Sequence, residues 1–198
     1  DGGGIYTWGD FTKLNRKVIG NIITNGVGMK GGTENETLAS SSCIYLDDTS
    51  ANVDISGNFL ANCSRAGIFI HNSHEVSVTN NTVYNNTDAQ LTAVHDQLEP
   101  NHPTRNLAVL NNVFYSKTNT QVGFSAVSTS DDFNVLGAFD NNIHLRPFSS
   151  ISPITTAQIV GSGSVEHNYD VSTWYEKFGY DSHSIANPFT RGGYSLIS

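Results

Sequence analysis

Five times along the chain a short apolar strand runs into an Asn: at Asn21, Asn58, Asn81, Asn112 and Asn142. Each Asn closes the second half of one pattern, a strand, a break and a second strand. The pattern is read in GGIYTWGD…KVIGNIITN, SCIYLDDTSANVDISGNFLAN, AGIFIHNSHEVSVTNNTVYNN, LTAVHDQ…NLAVLNNVFYS and GFSAVSTSDDFNVLGAFDNNIH. The second strands align on Val18, Val53, Val76, Leu107 and Val135. A further Asn follows four residues later at Asn25, Asn62 and Asn85. Successive Asn lie 23 to 37 residues apart, the period of a solenoid. In such a chain each strand pairs with the same strand of the next coil, so equal positions stack about 4.8 Å apart. Asn tolerates the left-handed backbone of a sharp corner, and its amide can bond the amides above and below. A leucine-rich repeat would need a Leu framework with helices, and a propeller needs aromatic blade signatures at longer, steadier intervals. Neither is present.

Composition agrees. Only 14% of residues are charged, which suits turns and strands better than a helical bundle. A hydrophobic content of 37%, with ten Phe and eight Tyr, excludes disorder. At 198 residues the chain fits one domain. A formal net charge of −8 argues against nucleic acid and anionic membranes as partners. No apolar run is long enough to insert in a membrane, and no signal peptide is visible. The chain enters a strand directly after Asp1-Gly2-Gly3-Gly4, which predicts additional N-terminal coils or domains of the same protein. Cys43 and Cys63 are expected as two buried thiols in neighbouring coils, with a disulfide as the alternative.

The candidate chemistry lies on the first strands. Apolar alternation places Ile5 and Thr7, Ile44 and Leu46, Ile68 and Ile70, and Thr92 and Val94 inward. One outward column then reads Tyr6, Tyr45, Phe69, Ala93, and the next Trp8, Asp47, His71, His95. Just past it come Gly9 and Asp10, Asp48, Asn72 and Asp96. Carboxylates, imidazoles and aromatics thus share one face of four coils. The catalytic candidates are Asp47, Asp96, His71, His95 and Asp48. The candidate substrate-binding residues are Tyr6, Trp8, Asp10, Tyr45, Phe69, Asn72 and Arg65. The longer loops 26–42 and 97–104 are expected to wall a cleft on this face. His74, Glu75, Asp131 and Asp132 are expected on solvated corners.

Four readings fit. Glycoside hydrolysis wants two carboxyl groups, and Asp47 and Asp96 stand two coils apart, about 9–10 Å between backbones. Elimination or C5 epimerisation of a uronate wants a base, His71 or His95, with a cation such as Arg65 or Arg105 beside the substrate carboxylate. No cofactor is required, but a divalent metal held by Asp47, His71 and His95 is the third reading. Stacking of sugar rings on Tyr6, Trp8, Tyr45 and Phe69 would make a binding protein without turnover, the fourth.

The coil residues resemble right-handed parallel β-helix proteins of the pectin-lyase-like superfamily, over roughly residues 1–145. The resemblance implies an all-β solenoid of about six to seven coils, residues 1–146, with a final coil and capping tail over 147–198. It further implies a carbohydrate-active protein that meets a glycan outside the cytoplasm: secreted, periplasmic or on a cell surface. Paired Asp in one coil with His in the next is similar to the order in polygalacturonase-like hydrolases, whose Gly-His-Gly and Arg-Ile-Lys motifs are absent here. SISPITTAQIVGSGSVEHNYDV reads as one more coil. HSIANPFTRGGYSLIS resembles the tail that closes many bacterial β-helix proteins and is expected to cover the last coil.

Overall fold

Parallel pairing of every repeat with the next winds the chain into a β-helix. The computed structural model describes residues 2–9, 12, 15–31, 39–96, 102–146 and 153–187. The first sheet stacks β1 (Gly3–Thr7), β4 (Ser42–Leu46), β7 (Ile68–His71), β10 (Ala89–His95), β13 (Val122–Ser128) and β16 (Ile154–Val160). The second stacks β2 (Arg16–Ile19), β5 (Ala51–Ser56), β8 (His74–Thr79), β11 (Leu107–Leu110) and β14 (Gly137–Asp140). The third stacks β3 (Ile22–Thr24), β6 (Phe59–Ala61), β9 (Thr82–Tyr84), β12 (Val113–Tyr115), β15 (Ile143–Leu145) and β18 (Ile185–Asn187). This gives five complete coils and a sixth represented in two of the sheets.

Each sheet sends an inward column into the core. Ile5, Ile44, Ile68, Leu91, Phe124 and Ile154 stack in the first sheet. Val18, Ile55, Val78, Val109 and Phe139 stack in the second. Ile23, Leu60, Val83, Phe114 and His144 stack in the third. Val53, Val76 and Leu107 align as expected, but Val18 pairs with Ile55, and Val135 lies in a short 3-10 turn while Gly137 pairs with Leu107. Both errors are shifts of two residues, which leave every side chain on the same face and so are invisible to apolar alternation.

The amide ladder forms. Asn21, Asn58, Asn81 and Asn112 each donate from the backbone and the side-chain amide to Oδ1 of the next Asn in the series, at 2.9–3.1 Å. The second amide hydrogen goes to a backbone carbonyl, as from Asn81 to Ile55 at 2.9 Å. The left-handed position is the residue before the ladder, Gly20, Gly57, Asn80, Asn111 and Asn141, so turning and stacking are done by different residues. At the next corner Asn25, Asn62 and Asn85 do both.

Cys43 and Cys63 are joined in a disulfide, with Cα atoms 5.6 Å apart. They are not two free thiols in neighbouring coils: one precedes Ile44 on β4 and the other follows β6, so the bridge closes a single coil on itself. Past β16 the chain turns at Gly161 and returns antiparallel as β17 (Gly163–Tyr169) instead of adding a whole coil. Helix α1 (Val171–Phe178) follows, capped by Asp170 and ended by left-handed Gly179. Its fully buried Trp174 packs over the end of the core against Phe124, Phe139 and Tyr180. The ladder ends there too, with Asn142 donating to Asp181 Oδ1 at 2.9 Å. Asp10, residues 32–38 and 97–101 of the expected cleft walls 26–42 and 97–104, and the tail from 188 onward lie outside the described residues.

Asn81 is 1% exposed and its neighbours in the ladder are equally enclosed. Asn81→Ala strips the acceptor from two donors of Asn58 and a donor from both Asn112 and Ile55. At about 1–3 kcal/mol for a buried group left unpaired, the expected loss in urea unfolding is about 3 kcal/mol or more. Asn62→Ala, on the solvated ladder, is expected to cost less than about 1 kcal/mol.

Candidate functional site

The outer face of the first sheet carries the site, and its register decides who meets whom. Tyr6, Tyr45, Phe69 and Thr92 form one outward column. Trp8 follows Thr7, Asp47 follows Leu46, and these lead to His71 and Val94 in the next. The fourth coil is thus one residue out from the expected alignment. Leu91 and Ala93 point inward, Thr92 and Val94 outward, and His95 leaves the column. A slip of one residue moves every side chain to the other face. His95 is 8% exposed and neither ring nitrogen has a hydrogen-bond partner. Burial lowers its pKa against the opposing pull of Asp132, whose Oδ2 lies 4.0 Å from Nδ1. Asp132, expected on a solvated corner, instead pairs with Arg105.

The remaining residues converge on one imidazole. His71 Nδ1 lies 2.9 Å from Asp47 Oδ1 and 3.3 Å from Asp48 Oδ1, and its Nε2 lies 2.8 Å from Asp96 Oδ2. Asp47 is further tied by the phenols of Tyr6, at 2.7 Å, and Tyr45, at 2.9 Å, and by the backbone N–H of Asp48. Asn72 is fully buried. Its amide donates to Asp48 at 2.7 Å and to Asp96 at 2.9 Å, and its Oδ1 accepts from the Asp96 N–H. It holds the two carboxylates in place.

These contacts set the charges. Burial disfavours charged His71, but its bonds to Asp47 and Asp96 outweigh this and raise its pKa above 6.5. Burial likewise opposes charge on Asp47, but the hydrogen bonds from His71 and Tyr6 win and lower it. Burial and the Asp47 carboxylate push Tyr6 to about 12, and Tyr45 is raised in the same way. The site therefore favours the protonated form of an imidazole clamped between two carboxylates, with the phenols as fixed donors.

His71 and Asp96 form one end of a cleft of about 460 Å3, whose other end is lined by Arg65 and Asp88. Tyr45 and Phe69 form its floor but are only 2% and 5% exposed, packed edge to face at 4.9 Å. The Arg65 guanidinium lies over Phe69, 4.0 Å from the ring centroid. The aromatics open to solvent are Tyr6, 50% exposed, and Trp8, 67% exposed. Asp88 escaped the sequence reading, since it precedes β10 and no outward column points to it. Burial raises its carboxyl pKa against the pull of Arg65. Asp47, Asp48 and His71 offer ligand atoms within 4.8 Å of one another, a set that fits a divalent cation only if His71 gives up its proton. His95, the expected third ligand, is not in that set.

The chain belongs to the right-handed β-helix family: residues 3–168 match its family model, described as a right handed beta helix region. Comparison with curated proteins and with solved structures gave no match.

A raised His71 binds its proton more tightly folded than unfolded. Its contribution to stability is full below about 6.5, the unfolded value, and is lost as pH rises through the folded pKa. Asp47 acts oppositely, and its contribution is lost only as pH falls below the ordinary carboxylate range. The melting temperature is therefore expected to fall above pH 6.5 in the wild type, and to fall less in His71→Gln. Melting curves across a pH series measure this.

Proposed function

We propose that the cleft binds a glycan and that the Asp47–His71–Asp96 network hydrolyses a glycosidic bond in it. The observation that carries this reading is one imidazole bridging two carboxylates on the wall of a cleft. Asp47 accepts four hydrogen bonds and stays ionised, so it is a positioning residue that keeps His71 protonated. Asp96 lines the cleft and is 24% exposed, the most open carboxylate of the network. In this reading His71 gives its Nε2 proton to the leaving oxygen as the C–O bond breaks. Asp96 takes a proton from the water whose oxygen bonds to the sugar carbon. The proton then passes from Asp96 back to His71 across their 2.8 Å contact. Exposed Trp8 and Tyr6 supply faces for sugar stacking beside Asp47. The Cys43–Cys63 disulfide supports a place of work outside the reducing cytoplasm.

Uronate elimination is the second reading, favoured by one observation: Arg65 and His71 line the same cleft. There His71 would have to act as a base, which its raised pKa disfavours.

Oligosaccharide panels, followed for new reducing ends and for unsaturated-uronate absorbance, separate the outcomes. Asp96→Asn is expected to lower turnover at least about 100-fold with melting temperature nearly unchanged. Asp47→Asn is expected to move the alkaline limb of the pH–rate profile to lower pH, because His71 loses the partner that holds its proton. Full activity in Asp96→Asn overturns the hydrolytic assignment. Products that absorb as unsaturated uronates give the site to elimination, and binding without products makes it a lectin-like surface.

A further inference from the structure

One ring in the core has nothing to bond to. The inward column of the third sheet runs through Ile23, Leu60, Val83 and Phe114 and then reaches His144 in β15. His144 is 2% exposed, and neither ring nitrogen has a hydrogen-bond partner in the protein. Its surroundings are shaped for the ring without being polar toward it. The ring packs on Phe114, with centroids 5.4 Å apart. A Cβ at Gly123 would stand 2.5 Å from Nδ1, so β13 makes room by having no side chain there. The Pro153 carbonyl borders the same niche, but it already accepts from the Gly123 and Phe124 N–H groups. An apolar side chain would fill this place without leaving polar atoms unpaired, as Leu60 and Val83 do in the coils before it.

Nothing beside the ring is placed to hold it in the charged form. Phe114 of β12, Gly123 of β13 and Ala186 of β18 face it and carry no charge. The charged group on its own segment is Arg146, itself 4% exposed. The carboxylate that acts on it is Asp181, in the turn after α1. Asp181 attracts a proton to His144, yet burial prevails and the His144 pKa is lowered. The Asp181 oxygens bond elsewhere. Oδ1 accepts from Asn142 and Ser184, and Oδ2 accepts from Trp174 Nε1 at 3.1 Å. A His with a lowered pKa binds its proton more tightly unfolded than folded. His144 therefore weakens the fold as pH drops below about 6.5, the unfolded value. This is the reverse of His71, whose contribution is full in that range.

The ring stands where the solenoid is closed. β18 pairs with β15 on its outer side, and Asp181 ties Asn142, Trp174 and Ser184 together over the end of the core. We propose that His144 is an acid-sensitive latch, whose protonation releases β15, β18 and α1 while the coils that carry Asp47, His71 and Asp96 stay wound. Release is local because β15 is covered outward only by the three residues of β18, whereas β6, β9 and β12 each lie between two strands of the same sheet. The latch does not depend on the glycan reading.

Amide hydrogen exchange of the full chain at about pH 7.5 and about pH 5, each normalised to the intrinsic rate at that pH, tests this. Peptides carrying β15, β18 and α1 are expected to lose at least about tenfold in protection at the lower pH, the scale of one buried polar group left unpaired. Peptides carrying β4, β7 and β8 are expected to change less than about twofold. Fluorescence of buried Trp174, isolated in a Trp8→Phe chain, is expected to shift to longer wavelength over the same range. His144→Leu continues the aliphatic column, and His144→Phe keeps a ring against Phe114. Both are expected to remove the pH effect. The readout is the ratio between the two pH values within each chain, so a variant that packs less well still reports. Unchanged protection of β15, β18 and α1 in the wild type overturns the proposal. Release that persists in both variants assigns the trigger to a carboxylate such as Asp181 and overturns it too. Loss of protection in every coil together makes the acid effect global unfolding, which also overturns the latch.

Discussion

Hydrogen bonds that run from coil to coil, through backbone and amide alike, place everything else in this molecule. A stacked Asn in the buried ladder spends its acceptor on two donors of one neighbour and its donors on the next coil and a carbonyl, so none of its polar groups is left over. A one-step slip would orphan all of them at once, at a cost no local rearrangement offsets. The ladder therefore fixes the register of all three sheets, and register is what turns a repetitive sequence into a site. Asp47 and His71 are neighbours because Leu46 pairs with Ile70. Tyr6 reaches Asp47 because it pairs with Tyr45.

Within that frame electrostatics divides similar groups into different roles. Asp47 and Asp88 are both Asp on one face of one sheet. Four donors hold the first ionised, while the second is pushed by its surroundings toward the neutral form. His71 and His95 lie in adjacent coils. Carboxylates on both sides favour charge on the first, and burial without a hydrogen-bond partner disfavours it on the second. Desolvation opposes the charge in each case. What decides is the number of hydrogen bonds made to the charged form.

The fold was legible because its signal is periodic. The Asn ladder and the inward Ile, Val and Leu positions recur in every coil, so single misreadings average out. The site rests on single residues and is correspondingly fragile to register. The strand AQLTAVH admits two alternations, and the one placing Thr92 and Val94 inward put His95 in a column it does not share. Matching Leu91 to Ile5, Ile44 and Ile68, a column of large aliphatic residues, would have corrected it. Burial of Asn72 was not legible, since an Asn after a strand looks like any corner residue. Nor was the fold of Arg65 back over Phe69, because no spacing rule links a corner cation to a ring four residues on. The disulfide came from geometry within one coil, whereas spacing alone allowed thiols as readily.

The central claim is that one imidazole stays charged because it is clamped between carboxylates from the coils on either side. Nitrogen NMR of the His-labelled chain across a pH series measures it most directly, with His71→Gln assigning the resonance. The account predicts that both ring nitrogens of His71 remain protonated at neutral pH and titrate above 6.5, with the midpoint falling in Asp47→Asn. A His71 that titrates at or below 6.5, or that is indifferent to Asp47, would contradict it.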